Sequence, residues 1–208
     1  MVGAGENQGK IDMHLSDYWN QYYLKNFNES PSDFAIFCLK KYLSANQSII
    51  DAGCGSAQDG LFFCDHGLQV ISIDKSQVVI DKLKNKYSKK NIDFVIGDIT
   101  KELPQTVDNI YSRWTLHAMP WKMSSCFLKN AYESLNLNGK LFIECRSALD
   151  CEAKKVQSHY RNFIRIKDLK KIIKKLNMTI IFLSEQQGLS RKENGDDPLL
   201  IRLVAIKK

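Results

Sequence analysis

The segment Asp51-Ala52-Gly53-Cys54-Gly55-Ser56-Ala57-Gln58-Asp59-Gly60 has the residue types of a ligand-binding loop. Glycines at 53 and 55 let a backbone turn tightly and approach a bound molecule closely. Carboxylates at 51 and 59 flank them. A nicotinamide dinucleotide would bring a pyrophosphate to such a loop, and two carboxylates beside it would repel it. The third glycine of a dinucleotide fingerprint is also missing, because Gln58 stands there. Acids at this place suit a cationic ligand, and S-adenosylmethionine (SAM) carries both an ammonium and a sulfonium. Two further acids follow at regular intervals. Asp74 closes the apolar run Val70-Ile71-Ser72-Ile73, and Asp98 lies in Gly97-Asp98-Ile99. The first can accept hydrogen bonds from a ribose diol, or cap a helix. The second can accept one from an adenine amino group, or serve a turn.

These acids need a scaffold that brings them together, and the chain supplies one. Apolar runs at Ser48–Ala52, Gln69–Ile73, Ile92–Ile96, Val107–Ser112 and Lys140–Cys145 predict five strands. Helices are predicted at Phe34–Leu43, Ala57–His66, from Ser76 to about Tyr87, at Ser124–Leu135 and at Lys167–Leu176. In the last of these, Leu169, Ile172, Ile173 and Leu176 share one face. Met178–Ser184 and Leu199–Ile206 predict two more strands, joined without a helix and therefore antiparallel. The expected fold is α/β: a Rossmann-like seven-stranded, mostly parallel sheet with an antiparallel C-terminal hairpin strand and helices on both faces. Asp51, Asp74 and Asp98 then stand at the carboxyl ends of successive strands, where such sheets bind ligands.

Bulk properties agree. The chain has 208 residues, of which 44% are hydrophobic and 25% charged, as expected of one globular domain. Residues 1–10 read as a flexible leader and 11–208 as one domain, with 11–44 a helical cap and 45–208 the core. No apolar run has the roughly 20 residues of a membrane span. Six cysteines without Cys-x-x-Cys pairs and four histidines without ligand spacing argue for reduced thiols in the cytoplasm and for no metal. The net charge of +7 fits solvated lysine faces, and equally an anionic substrate or nucleic acid.

The segments Asp51-Ala-Gly-Cys-Gly, Val70–Asp74 and Gly97-Asp98-Ile99 resemble the first three motifs of class I SAM-dependent methyltransferases, and the final strand pair resembles that family's hairpin. Tyr111-Ser-Arg-Trp-Thr-Leu-His117 is similar to the small-molecule branch, which includes thiopurine- and tellurite-type enzymes. The resemblance implies methionine contacts at Asp51, Gly53 and Gly55, ribose contacts at Asp74, and adenine contacts at Asp98 and Ile99. Relatives often carry Gly at the place of Ala57 and Arg at that of Gln58. The expected cofactor set also takes in Trp19, Cys54, Asp59, Lys75 and Arg113. An aromatic helix over Asp17–Phe27, with Tyr18, Trp19, Tyr22 and Tyr23, is expected to cap the sulfonium through cation–π attraction, or simply to pack.

Methyl transfer from a sulfonium is a displacement that depends mainly on alignment and exclusion of water. Strand four lacks the Asn/Asp-Pro-Pro-aromatic motif of base-amine methylation and any Pro-Cys nucleophile. His117 is the candidate base or a structural histidine, with Arg113 and His159 as further catalytic candidates. Glu144-x-Arg146 places both side chains on one face of strand five, where they can pair with each other or face an acceptor. Tyr23, Arg146, His159, Tyr160, Arg161 and Arg191 form the candidate substrate set, with Lys192 beside the last. Arginines in that number predict a small anionic acceptor bearing phosphate or carboxylate. An RNA or protein methyltransferase and a non-catalytic SAM-binding protein are the alternatives; no added nucleic-acid module is evident, and a monomer or homodimer is expected.

Overall fold

The computed structural model describes residues 17–150, 160–191 and 195–208. Residues 17–25 form a helix, α1, ahead of the sheet. Then follow α2 (Asp33–Tyr42), β1 (Ser48–Ala52), α3 (Gln58–Asp65), β2 (Gln69–Asp74), α4 (Gln77–Lys86), β3 (Ile92–Ile96) and β4 (Val107–Arg113). The second half holds α5 (Trp121–Ser134), β5 (Leu135–Arg146), α6 (Ile166–Lys175), β6 (Met178–Gln186) and β7 (Leu200–Lys207). The strands form one sheet in the order β3-β2-β1-β4-β5-β7-β6. All pairings are parallel except those of β7, which runs antiparallel to both β5 and β6.

Period-two alternation divides the core between the two faces of the sheet. Ile50, Ile110, Ile143 and Leu203 pack with Phe127 and Leu128 of α5 and with Leu169 and Ile173 of α6. Ile49, Tyr111, Phe142 and Val204 pack on the other face with Phe34 and Cys38 of α2 and Phe63 of α3. Each fully buried aliphatic of this kind stabilises by about 1.5–3 kcal/mol. Ser32 caps α2 and Ser76 caps α4, each side chain accepting from the backbone N–H three residues on.

Most boundaries fall within two residues of the sequence reading, and two differ by more. Helix α5 starts at Trp121, three residues before the expected Ser124, because Pro120 sets the turn into it. The buried Ser124 hydroxyl instead donates to the Leu116 carbonyl, 3.0 Å away. Strand β5 runs from Leu135 rather than Lys140. Asn138 takes φ 64° within it, beside a register shift on β4. The expected leader at 1–10 lies outside the described residues.

Candidate functional site

A cleft of about 990 Å³ opens at the carboxyl ends of β1 to β4 beneath α1. Its floor begins with the loop after β1. Gly53 has φ +74° and Gly55 φ +53°. A Cβ at the first would stand 2.5 Å from Thr115 Oγ1, and at the second 2.4 Å from Tyr23 Oη. Both positions therefore require glycine on conformational and steric grounds. The Gly53 and Cys54 amides donate to the Ile73 carbonyl at 2.9 and 3.1 Å, which clamps the loop to β2. Ala57 is left-handed at φ 53°, where an L-residue costs about 1 kcal/mol, and its methyl is fully buried. Burial, then Asp74, push the Cys54 thiol well up, so it stays protonated.

Four carboxylates line this half, each differently held. Asp51 is 3% exposed. It accepts the Gly60 amide, while its Oδ2 has no hydrogen-bond partner. Burial first, and then the Asp59 charge, raise its pKa well above the carboxylate range. Asp74 accepts the Gly55 and Ser76 amides at 2.9 Å each. Two carboxylate oxygens offer more lone pairs than these donors use, so capacity for ribose hydroxyls remains. Burial raises Asp74 against the opposing effect of those bonds. At Asp98 burial pulls upward, but the Thr100 hydroxyl and amide and the Lys75 ammonium outweigh it and hold the carboxyl low. Lys75 Nζ lies 3.4 Å from Asp98. Asp59 has both oxygens occupied. It accepts the Ser32 amide (2.7 Å), the Ser32 hydroxyl (2.8 Å) and the Tyr111 hydroxyl (2.7 Å).

The other half is built on the end of β4. Trp114 has φ 60°, a conformation rare for a bulky residue and costly wherever it occurs. What holds it there is Glu144, fully buried on β5. Glu144 Oε1 accepts Arg113 Nε at 2.8 Å and Trp114 Nε1 at 3.0 Å, and Oε2 accepts Arg202 Nε at 2.7 Å. The Arg113 and Arg146 guanidiniums lie 5.3 and 5.2 Å from the Trp114 ring. Arg146 also binds Asp150 (3.1 Å) and Asp196 (2.9 Å). Its backbone N–H donates to His117 Nδ1 at 3.2 Å. Beyond Trp114 the wall is Thr115, His117, Ala118, Met119, Met123, Arg161 and Ser190. Helix α1 roofs both halves: Asn20 accepts the Ser76 hydroxyl at 2.6 Å, Trp19 stacks on Tyr23 at 6.0 Å, and Tyr18 acts electrostatically on Arg161.

Residues 49–139 match the model of a methyltransferase domain. That match takes in 91 of the chain's 208 residues. The chain is 29% identical to a caffeic acid 3-O-methyltransferase of Zinnia elegans over 137 residues, which are 61% of this chain and 37% of that one. The chain thus spans well under half of that relative's length. Among solved structures it resembles TehB from Haemophilus influenzae, with TM-score 0.70 and 19% identity over 93% of this chain and 67% of that one. A TehB-like SAM-dependent methyltransferase from Corynebacterium glutamicum gives TM-score 0.67 and 17% identity over 97% and 100%.

The cleft gathers most of the residues expected from sequence. Trp19, Tyr23, Asp51, Gly53, Cys54, Gly55, Asp59, Asp74, Lys75, Asp98, Ile99, Arg113, His117 and Arg161 all line it. The residues of the first half fit SAM. Asp51 keeps a buried oxygen that an ammonium would complete, Asp74 has acceptor capacity that a diol would use, and Asp98 and Ile99 also line the cleft.

Several expected roles are not supported by the geometry. Asp59 takes three donors from Ser32 and Tyr111, two of them on Oδ2, so it positions α2 against α3 and β4 as well as lining the cleft. Glu144 and Arg146 pair with other partners and not with each other. Arg146 is 2% exposed and lies outside the cleft lining, held by Asp150 and Asp196. Arg191 is 74% exposed and pairs with Asp197, and Tyr160 is also surface-exposed; neither lines the cleft. His117 lines the cleft and accepts the Arg146 amide through Nδ1, a contact that fixes its ring against β5. His159 and Lys192 lie outside the described residues. Sequence reasoning did not single out Trp114 as a site residue, and it missed Arg202, Met119, Met123 and Asn20. Only Trp114 carried a signal, as a tryptophan directly after the fourth strand.

Proposed function

We propose that this chain transfers the methyl group of SAM to a small anionic acceptor. The observation that carries the reading is Asp51 Oδ2, a buried carboxylate oxygen with no partner at the floor of the cleft. Burying such a group uncompensated is costly unless a cation completes it. A SAM ammonium does so, and a pyrophosphate would make it worse. When bound, SAM supplies a methyl group made electrophilic by its sulfonium. The chain's own residues do the rest. Asp51 holds the ammonium, Asp74 the ribose hydroxyls, and Asp98 the adenine amine. Tyr18, Trp19, Tyr22 and Tyr23 cover the sulfonium with aromatic faces and exclude water. Trp114, Met119 and Met123 offer an apolar wall to the acceptor, and Arg161 offers a positive charge.

A small acceptor is supported further by the lysines of α6, none of which lines the cleft. RNA binding would need a basic surface that leads into the site. No described helix is long and apolar enough to cross a membrane, and the five described cysteines are unpaired. These features accord with a single cytoplasmic domain, as a monomer or homodimer.

Calorimetric titration with S-adenosylhomocysteine, with NADH in parallel, tests the cofactor. Micromolar binding of the former alone is expected, and Asp74→Ala should weaken it by roughly 10- to 100-fold. Binding of NADH in preference would refute the reading of the Gly53 loop.

A further inference from the structure

We propose that binding of the cofactor displaces a proton from Asp51, so that the methyl-donor site fills less readily as the solution turns acid. This rests on the methyltransferase reading above and assigns a regulation of the same site.

The geometry that carries it is a pair of buried carboxylates with unequal support. Asp51, near the end of β1, is 3% exposed, and Asp59, in the first turn of α3, is 4% exposed. Both line the cleft, and each lies within electrostatic reach of the other. Asp59 receives the Ser32 amide, the Ser32 hydroxyl and the Tyr111 hydroxyl. Asp51 receives the Gly60 amide, and its Oδ2 has no hydrogen-bond partner. Two carboxylates in one low-dielectric place cannot both carry full charge at little cost, and donors decide which of them does. Asp51 has the fewer donors and is the member that keeps a proton while the site is empty.

The other charged and titratable groups facing Asp51 do not reverse this. Asp74 on β2 adds a negative charge and Arg113 on β4 a positive one, and Asp74 acts the more strongly of the two. Arg113 also gives its Nε–H to Glu144 at 2.8 Å. The Cys54 thiol in the loop and the Tyr23 phenol on α1 are both pushed well up, burial first and Asp74 next, so they stay neutral and supply no cation. Burial and then the Asp59 charge push the Asp51 carboxyl in the same upward direction.

An ammonium at Oδ2 changes the balance, because an adjacent positive charge favours the carboxylate form. The exchange is complete in itself. The neutral Asp51 carboxyl and the ligand ammonium become a carboxylate–ammonium pair, and one proton passes to solvent. Its sign follows from linkage. The filled site has the lower pKa and the empty site the raised one. Between the two, each ligand bound releases up to one proton, and affinity rises with pH by up to about 10-fold per unit. Above the empty-site pKa the dependence flattens.

The test is calorimetric titration of the full chain with S-adenosylhomocysteine in two buffers of unlike ionisation enthalpy, which counts the protons. It runs from about pH 5 to about pH 7.5, where the ligand's own carboxyl and amino groups keep their charges. Expected is net proton release in the acid part of the range, with Kd falling as pH rises. Asp51→Asn should bind more weakly near neutrality, release no proton, and show a nearly flat Kd across the range. Binding by the parent without proton release would overturn the proposal and leave the cofactor reading standing. Release undiminished in Asp51→Asn would do the same, by moving the proton to another group such as Asp74. Absence of binding at every pH would bring down the cofactor reading and the proposal with it.

Discussion

Replacing Asp51 with asparagine should move stability and binding in opposite directions. In the ligand-free chain Asp51 is buried, has one oxygen without a partner, and feels the Asp59 charge. An uncompensated group of this kind costs about 1–3 kcal/mol. The Asp51→Asn substitution removes the charge while keeping an oxygen for the Gly60 amide. The ligand-free variant should therefore melt higher, by roughly 2–4 °C per kcal/mol gained for a chain of this size. The gain has a pH signature. A carboxyl whose folded pKa is raised costs nothing below its unfolded value of about 3.9, and its cost grows as pH rises through the interval up to the folded value. The stability difference between Asp51→Asn and the parent should thus vanish in acid and open toward neutrality. Binding goes the other way, because losing a charge-assisted contact to the ammonium should raise the Kd for S-adenosylhomocysteine by roughly 10- to 150-fold at neutral pH. Thermal unfolding across pH and calorimetric titration measure the two arms. A ligand-free variant less stable than the parent, or one that binds as tightly, would refute the assignment of Asp51 to the ammonium.

Three other perturbations follow from the same geometry. Glu144→Gln leaves Arg113 and Arg202 without their shared buried anion and should cost about 3–5 kcal/mol in chemical denaturation, whereas a loss under about 1 kcal/mol would deny Glu144 its role. Tyr111→Phe removes one donor from Asp59 but keeps the ring against Phe34 and Phe63, so a loss of about 1–2 kcal/mol is expected, with S-adenosylhomocysteine affinity little changed. Gly55→Ala forces a methyl group to within 2.4 Å of the Tyr23 hydroxyl at a positive φ, and titration should show affinity reduced by at least about 10-fold; unchanged affinity would mean that α1 does not close over this loop.

The parallel half of the sheet was readable because its strands are short apolar runs that end in acids or glycines. Ile92–Ile96 and Ser48–Ala52 fall at their expected bounds for that reason. The cofactor half was readable too, since backbone geometry at Gly53 and Gly55 admits few other residues. The acceptor half was less so. Arginines at 113, 146, 161 and 191 look alike in sequence. The fates of Arg113, Arg146 and Arg191 were decided by Glu144, Asp150, Asp196 and Asp197, which come from distant segments or from a loop of no regular pattern. The partners of Asp59 were hidden for the same reason: Ser32 and Tyr111 are 27 and 52 residues away along the chain. The His117 ring is held in part by a backbone amide of β5, and no spacing rule reports such a contact.

Strand β7 enters the sheet between β5 and β6, although it follows both in the chain. During synthesis the ribosome has already released β5 when Arg202 is still to be made. Until then Glu144 lacks one of its two arginines, and the slot beside β5 has no occupant. The left-handed Trp114 and the wall around it thus hang, through Glu144, on a strand 58 residues further along the chain, whereas the Gly53 loop is clamped to β2, only 20 residues away.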